Sequence, residues 1–251
     1  MDSQEIKRRV METYAAAVTQ GSSCCEPAAP RRTAAVPEAA SCCGKTESPG
    51  GARSSFGCGD PLALADVGPG QTVLDVGSGP GADALAASLR VGPRGRVIGV
   101  DMTDAMLEKA RQAALSAGAS NVDFRKGDAE ALPAADGEAD WVISNCVVNL
   151  VPDKSRAFAE IFRVLKPGGR FSITDLVGEN LPPEITGDPE AYCRCIGGAD
   201  SEAAYLKAIR DAGFADVAVL DRFEWEAPEL EGTAGRVWSL KVTGRRPPAA
   251  A

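Results

Sequence analysis

Eight cysteines and no histidine set the chemistry open to this 251-residue chain. Histidine is the commonest general base and the commonest transition-metal ligand, so its absence leaves sulfur as the soft donor. Cys24-Cys25 and Cys42-Cys43 are adjacent pairs, Cys58 stands in FGCGDP, Cys146 in SNCVVNL, and Cys193 and Cys195 share YCRCIGGA. Thiolates select soft, thiophilic ions, and the composition points to thiol chemistry or soft-ion capture. Cys146 has Val142, Ile143, Val147 and Val148 around it, a setting that equally suits a small buried hydrophobe. Cys58 and Cys195 are flanked by glycine and polar residues and lie on no apolar stripe. Lys7, Arg8 and Arg9 are followed by no apolar h-region, so no secretory signal is read. A cytoplasmic chain is therefore expected, with its cysteines as reduced thiols rather than a disulfide framework.

A second constellation is the glycine turn in VLDVGSGPGAD (73–83). Gly77, Gly79 and Gly81 allow a ligand to approach the backbone where a Cβ would collide, and the helix that follows offers free N–H groups. The spacing also fits the dinucleotide pattern G-x-G-x-x-G/A. Asp101, at the end of the next apolar run, can hold both ribose hydroxyls in either case. A nucleoside cofactor is expected, with a nicotinamide dinucleotide still open on these residues alone.

These residues need elements to position them. Ile6, Val10, Tyr14 and Val18 share one face of a helix over 1–20. Residues 21–57, rich in Ser, Ala, Pro and Gly, read as a flexible arm. From residue 66 strands and helices alternate. Strands are expected at 72–76, 96–101, 122–128, 139–146 and 170–175, and two more at 216–221 and 237–243. Helices are expected from the glycine turn to Leu89, from Met106 to Gly118, from Asp153 to Leu165 and over 200–212. Such alternation implies a parallel sheet covered on both faces, and Cys146 then falls at the carboxyl edge, where ligands sit. Asn145 and Cys146 would face the reactive end of a cofactor. With 27 Lys+Arg against 35 Asp+Glu the net charge is −8, which disfavours a nucleic-acid partner. No apolar run is long enough for a membrane span.

GDAE (127–130) after the third strand and LKPGGRFSITD (165–175) into the fifth resemble the class I S-adenosylmethionine (SAM) methyltransferases over about residues 66–178. That resemblance implies an α/β, Rossmann-like fold with a seven-stranded sheet, mostly parallel, whose last strand inserts antiparallel. More specifically, FGCGDP, VIGVDMTDAMLEKAR (97–111), SNCVVNL and CIGGA (195–199) resemble arsenite methyltransferases over about 56–214. The resemblance implies that Cys58, Cys146 and Cys195 hold trivalent arsenic and carry catalysis, with no metal cofactor. Cys193 stays open as an alternative third ligand, and the two cysteine doublets look like N-terminal pairs found in many family members. Asp75, Gly77 and Gly79 would line the methionine moiety of SAM, Asp101 would bind the ribose, Met102 would pack on the adenine, and Asp128 and Ala129 would edge it.

The organisation implied is an N-terminal helix and cysteine-containing arm (1–61), a SAM-binding core (62–178), and an arsenic-binding segment completing the sheet (179–251). The substrates implied are arsenite or its thiol conjugate, then methylarsenite, with glutathione or thioredoxin as reductant. A monomer without nucleic-acid or membrane partners is expected. Methylarsenite has two exchangeable positions, so Cys146 and Cys195 would suffice for a second methylation and Cys58 would serve the first alone. Two other functions compete: a SAM methyltransferase for an organic small molecule, and a thiol-based metalloid-binding protein.

Overall fold

The computed structural model describes residues 2–20 and 58–249. The expected arm at 21–57 and the doublets Cys24-Cys25 and Cys42-Cys43 lie outside the described residues.

After helix α1 (Ser3–Gln20) the chain alternates β1 (Thr72–Val76), α2 (Ala82–Val91), β2 (Arg96–Asp101), α3 (Asp104–Ala117), β3 (Val122–Lys126), β4 (Ala139–Asn145), α4 (Lys154–Val164) and β5 (Leu165–Glu179). Two short helices follow, α5 (Pro183–Thr186) and α6 (Pro189–Cys193), then α7 (Glu202–Asp211), β6 (Ala215–Trp225) and β7 (Arg236–Arg245). All seven strands form one sheet, ordered β3-β2-β1-β4-β5-β7-β6. The first five strands pair in parallel, while β7 runs antiparallel between β5 and β6. The expected doubly covered sheet with an inserted antiparallel last strand is the one observed.

TVLDV and RVIGVD are continuous apolar runs because each strand is buried on both faces. On one face Leu85, Val91, Leu107, Ala110 and Phe124 pack with Val73 and Val97. On the other, Phe158, Ile161, Tyr205 and Ile209 cover Leu74, Val142 and Ile173. A third apolar cluster sits apart from these two and contains Val10, Leu150, Leu176, Ile196 and the four described cysteines. α1 thus packs into the same body, placing Val10 at 2% exposure.

Two elements differ from expectation. β5 runs from Leu165 to Glu179 rather than over 170–175, because its antiparallel partner gives it a ten-residue ladder from Arg170↔Arg245 to Glu179↔Arg236. Lys166-Pro167-Gly168-Gly169 does end α4, but the chain enters the sheet at once, with Gly168 N–H donating to Arg246 and Arg246 N–H to Gly169. The segment carrying Cys193 and Cys195 also contains α5 and α6, which apolar periodicity does not reveal in runs of 4 and 5 residues. Their signals are local: proline in each first turn, and Asp188 accepting from the N–H groups of Glu190 and Ala191. No helix among the described residues is long and apolar enough to cross a membrane.

Candidate active site

The carboxyl edge of β1, β2 and β4 opens into a cleft lined by residues from the ends of all three strands, among them Val76, Asp101 and Asn145. The glycine turn forms one wall. Gly77 has φ of 70°, and a Cβ there would overlap the Val147 side chain. Gly79 has φ of 51°, and a Cβ on it would project into open space, narrowing the cleft it lines. Asp101 orders this turn: its Oδ2 accepts from Gly79 N–H at 3.0 Å and its Oδ1 from Thr103 N–H at 2.8 Å. Met102, Asp128, Ala129 and Asn145 line the same cleft. Asp75 lies just beneath, only 2% exposed and not part of the lining.

Buried carboxyls dominate the electrostatics of this edge. Burial raises the pKa of Asp101 and, more strongly, that of Asp75, which also feels Asp83 and Asp101. Burial pushes Asp83 up to about 6, against the hydrogen bond from Asn145. Among the described residues, Asp75 Oδ2, Ser78 Oγ and Asn145 Oδ1 are buried with no hydrogen-bond partner. Three carboxyls held above their ordinary range want a cation beside them. SAM, with a sulfonium and an ammonium, fits that need; the pyrophosphate of a dinucleotide would add negative charge to it. Asp83 is a residue that the sequence reading passed over, although its place directly after GPGA, in the first turn of α2, was a usable signal.

The cysteines converge next to this cleft. Cys58 and Cys146, 88 residues apart, form a disulfide with a Cα–Cα distance of 5.8 Å. This corrects the expectation of reduced thiols for that pair: compartment sets an average for thiols, whereas this bond is set by two buried sulfurs brought together by the fold. The Cys195 thiol donates to the Cys146 carbonyl at 3.3 Å, which places the third expected residue at the same spot. Cys193, at the end of α6, turns toward α1, where the Thr13 hydroxyl meets its sulfur at 3.5 Å. Cys58, Cys146 and Cys195 are 4%, 5% and 5% exposed, so burial does not single out Cys146 as its apolar sequence context had suggested.

Backbone strain does mark two of the three. Cys146 and Cys195 have φ of 55° and 66°, in the left-handed region that non-glycine residues seldom occupy. Such a conformation costs on the order of 1–3 kcal/mol and persists where the surroundings dictate it. Asn149 is one such constraint: its side-chain amide donates to the carbonyls of Leu176 and Cys195, while its backbone N–H donates to Asp175. The Cys58 loop is held as firmly. Asn145 Nδ2 donates to Gly59 O at 2.7 Å and to Asp83 at 3.0 Å, and Ser239 Oγ donates to Cys58 O at 3.1 Å. Asn145 therefore ties the Cys58 loop to the cleft wall.

Asp175 is the other group that sequence reasoning missed. One of its carboxylate oxygens lies within 4.8 Å of both the Cys58 and Cys146 sulfurs. Burial pushes its pKa up to about 7, with the Tyr205 hydroxyl, 3.0 Å away, pulling it down. It closes the fifth expected strand as an unremarkable Ser-Ile-Thr-Asp, and only the approach of the Cys58 and Cys146 segments and of α7 gives it neighbours.

Residues 68–213 match a family model described as a methyltransferase domain. The chain is similar to an arsenite methyltransferase of Halobacterium salinarum, at 41% identity over 89% of this chain and 61% of that protein. It is similar to the arsenite methyltransferase of Mus musculus, at 34% identity over 76% of this chain and 53% of that one. Among solved structures, it resembles an arsenic(III) S-adenosylmethionine methyltransferase from Chlamydomonas reinhardtii, at TM-score 0.69 and 35% identity, covering 78% of this chain and 69% of that one. The chain spans between half and about three fifths of the length of these curated relatives.

Proposed function

The chain belongs to the arsenite methyltransferase family, and on that premise we propose that it transfers methyl groups from SAM to trivalent arsenic held by Cys58, Cys146 and Cys195. The observation that carries this reading is the meeting of three cysteines, remote in sequence, beside a cation-seeking nucleoside cleft.

When bound, SAM supplies a sulfonium-activated methyl group to the unshared electron pair of arsenic. The chain's own residues do the rest. Gly77 and Gly79 would give the methionine portion access to the backbone with Asp75 beneath them, Asp83 would supply negative charge to it, Asp101 would take the ribose, Met102 would pack on the adenine, and Asp128 with Ala129 would edge it. Three thiolates hold arsenic as a pyramid, which leaves its electron pair directed away from them. The nucleophile carries no proton, so no histidine base is required, and rate comes from orientation, worth up to roughly 7–11 kcal/mol.

The disulfide fits the electron balance. Methyl transfer formally oxidises arsenic to the pentavalent state; two thiolates return two electrons to it and are left as one disulfide. Cys58–Cys146 is such an oxidised pair, and two equivalents of an external thiol such as glutathione, or the dithiol of thioredoxin, reopen it. Arsenite then enters from its thiol conjugate by exchange onto the cysteines.

The test is purified, prereduced protein with arsenite, SAM and a thiol, its products separated by arsenic speciation chromatography. Activity on an organic acceptor with no arsenic-dependent turnover would replace this reading with that of an organic methyltransferase. In the same assay Cys58→Ser is expected to lose at least about 10-fold on arsenite and less than about 2-fold on methylarsenite. Equal loss on both would reject the division of labour.

Cofactor affinity should depend on pH with a definite sign. Asp83 titrates at about 6 because burial disfavours its charge. Below that pH it is neutral and no longer attracts a cation, so SAM affinity is expected to rise about 2- to 4-fold between pH 5.5 and 7.5. Calorimetry in buffers of different ionisation enthalpy should show proton release on binding near pH 6. Flat affinity across that range would remove Asp83 from the site.

A further inference from the structure

Helix α1 reaches both halves of the site. Lys7 Nζ lies 2.6 Å from Asp128 Oδ2 and 2.6 Å from Glu130 Oε2. The side chains of Lys7 and Glu130 are 16% and 12% exposed, while that of Asp128 is 35% exposed. Burial opposes the ammonium charge, but the two carboxylates outweigh it and the Lys7 pKa is raised. Asp128 lines the cleft and Glu130 stands beside it, each held by backbone: Asp128 Oδ1 accepts from Glu130 N–H and Glu130 Oε1 from Asp153 N–H. Two turns further along α1, the Thr13 hydroxyl meets Cys193 Sγ, and Tyr14 OH donates to Cys193 O at 3.2 Å. Lys7, Val10 and Tyr14 all face the cofactor cleft.

We propose that Lys7 is a positioning residue for the adenine end of the cleft, and that through it α1 transmits cofactor occupancy to the Cys193–Cys195 segment. The inference rests on the reading of Asp128 as the acceptor of the adenine amino group. Lys7 holds Asp128 and Glu130 on one ammonium; without it the two carboxylates repel, and Asp128 swings from the position that adenine needs. An adenine amino group on Asp128 in turn stiffens the carboxylate that fastens α1. The middle of the same helix, through Thr13 and Tyr14, then keeps Cys193 in place, and Cys195 two residues on. Coupling between sites of this kind is reciprocal.

The experiment uses the full chain with its disulfide reduced. Binding of S-adenosylhomocysteine and of S-inosylhomocysteine, which has a carbonyl oxygen in place of the amino group, is measured by calorimetry for wild type, Lys7→Met, Lys7→Arg and Asp128→Asn. Lys7→Met is expected to weaken the adenosyl ligand about 10-fold and the inosyl ligand less than about 2-fold, with Lys7→Arg restoring most of the loss. Alkylation by iodoacetamide, followed at Cys193 and Cys195 by mass spectrometry, should be slowed at least about 3-fold by saturating S-adenosylhomocysteine in wild type and not in Lys7→Met. If Asp128→Asn leaves the preference for the adenosyl ligand intact, the adenine reading fails and the inference goes with it. If Asp128→Asn abolishes that preference while Lys7→Met binds as wild type, the inference alone is overturned. Equal weakening of both ligands by Lys7→Met, or protection of the thiols that persists in it, overturns it as well.

Discussion

Replacing Cys146 with serine is expected to cut arsenite-dependent methyl transfer at least about 100-fold, the penalty for misplacing a reacting centre. Cys146 is central because three features meet on it: the bond to Cys58, the thiol of Cys195 on its carbonyl, and a left-handed backbone at the mouth of the cleft. Serine is nearly isosteric and as tolerant of that backbone as cysteine, so the loss isolates the sulfur. A hydroxyl is a hard ligand with no affinity for trivalent arsenic comparable to a thiolate's. Speciation of products gives the rate, and arsenite titration of the reduced protein, read by thiol absorbance, separates lost capture from lost fold. Turnover undiminished in Cys146→Ser would remove arsenic from this edge of the sheet.

The second large effect is on the cofactor. Asp101→Ala is expected to weaken SAM binding about 30- to 150-fold, or about 2–3 kcal/mol, as two charge-assisted hydrogen bonds to ribose hydroxyls are lost. The same change frees Gly79 N–H and Thr103 N–H, which Asp101 now holds, so the glycine turn loosens too. Asp101→Asn keeps the shape and loses the charge, and should fall between the two. Affinity unchanged by calorimetry in Asp101→Ala would show that the ribose lies elsewhere.

Most of the cofactor half was legible in the chain. The run TVLDV, the glycine turn behind it and Asp101 one strand later are local patterns, and the sheet places them as expected. Asp83 could have been read from its position after the turn. Lys7 could not: in sequence it is one of three consecutive cations on a helix with one apolar face, and its partners Asp128 and Glu130 lie 121 and 123 residues away. The same holds for Asp175, whose meaning comes from Tyr205 on α7 and the sulfurs on two other segments.

The thiol half divides at another point. Which cysteines matter was suggested by their surrounding strings, but not how they are arranged. Spacing alone left Cys193 and Cys195 equivalent; the end of α6 separates them by sending one toward α1 and the other, on a left-handed backbone, to Cys146. Nor could spacing show that Cys58 and Cys146 are bonded to each other.

By itself the sequence determined the alternation of strands and helices and the nucleoside-binding turn, because each depends on periodicity and stereochemistry within a few residues. Tertiary structure alone decided which sulfurs meet and which lysine reaches Asp128 and Glu130. Contacts between residues a hundred positions apart are fixed by how the sheet and helices pack, and no local pattern encodes them.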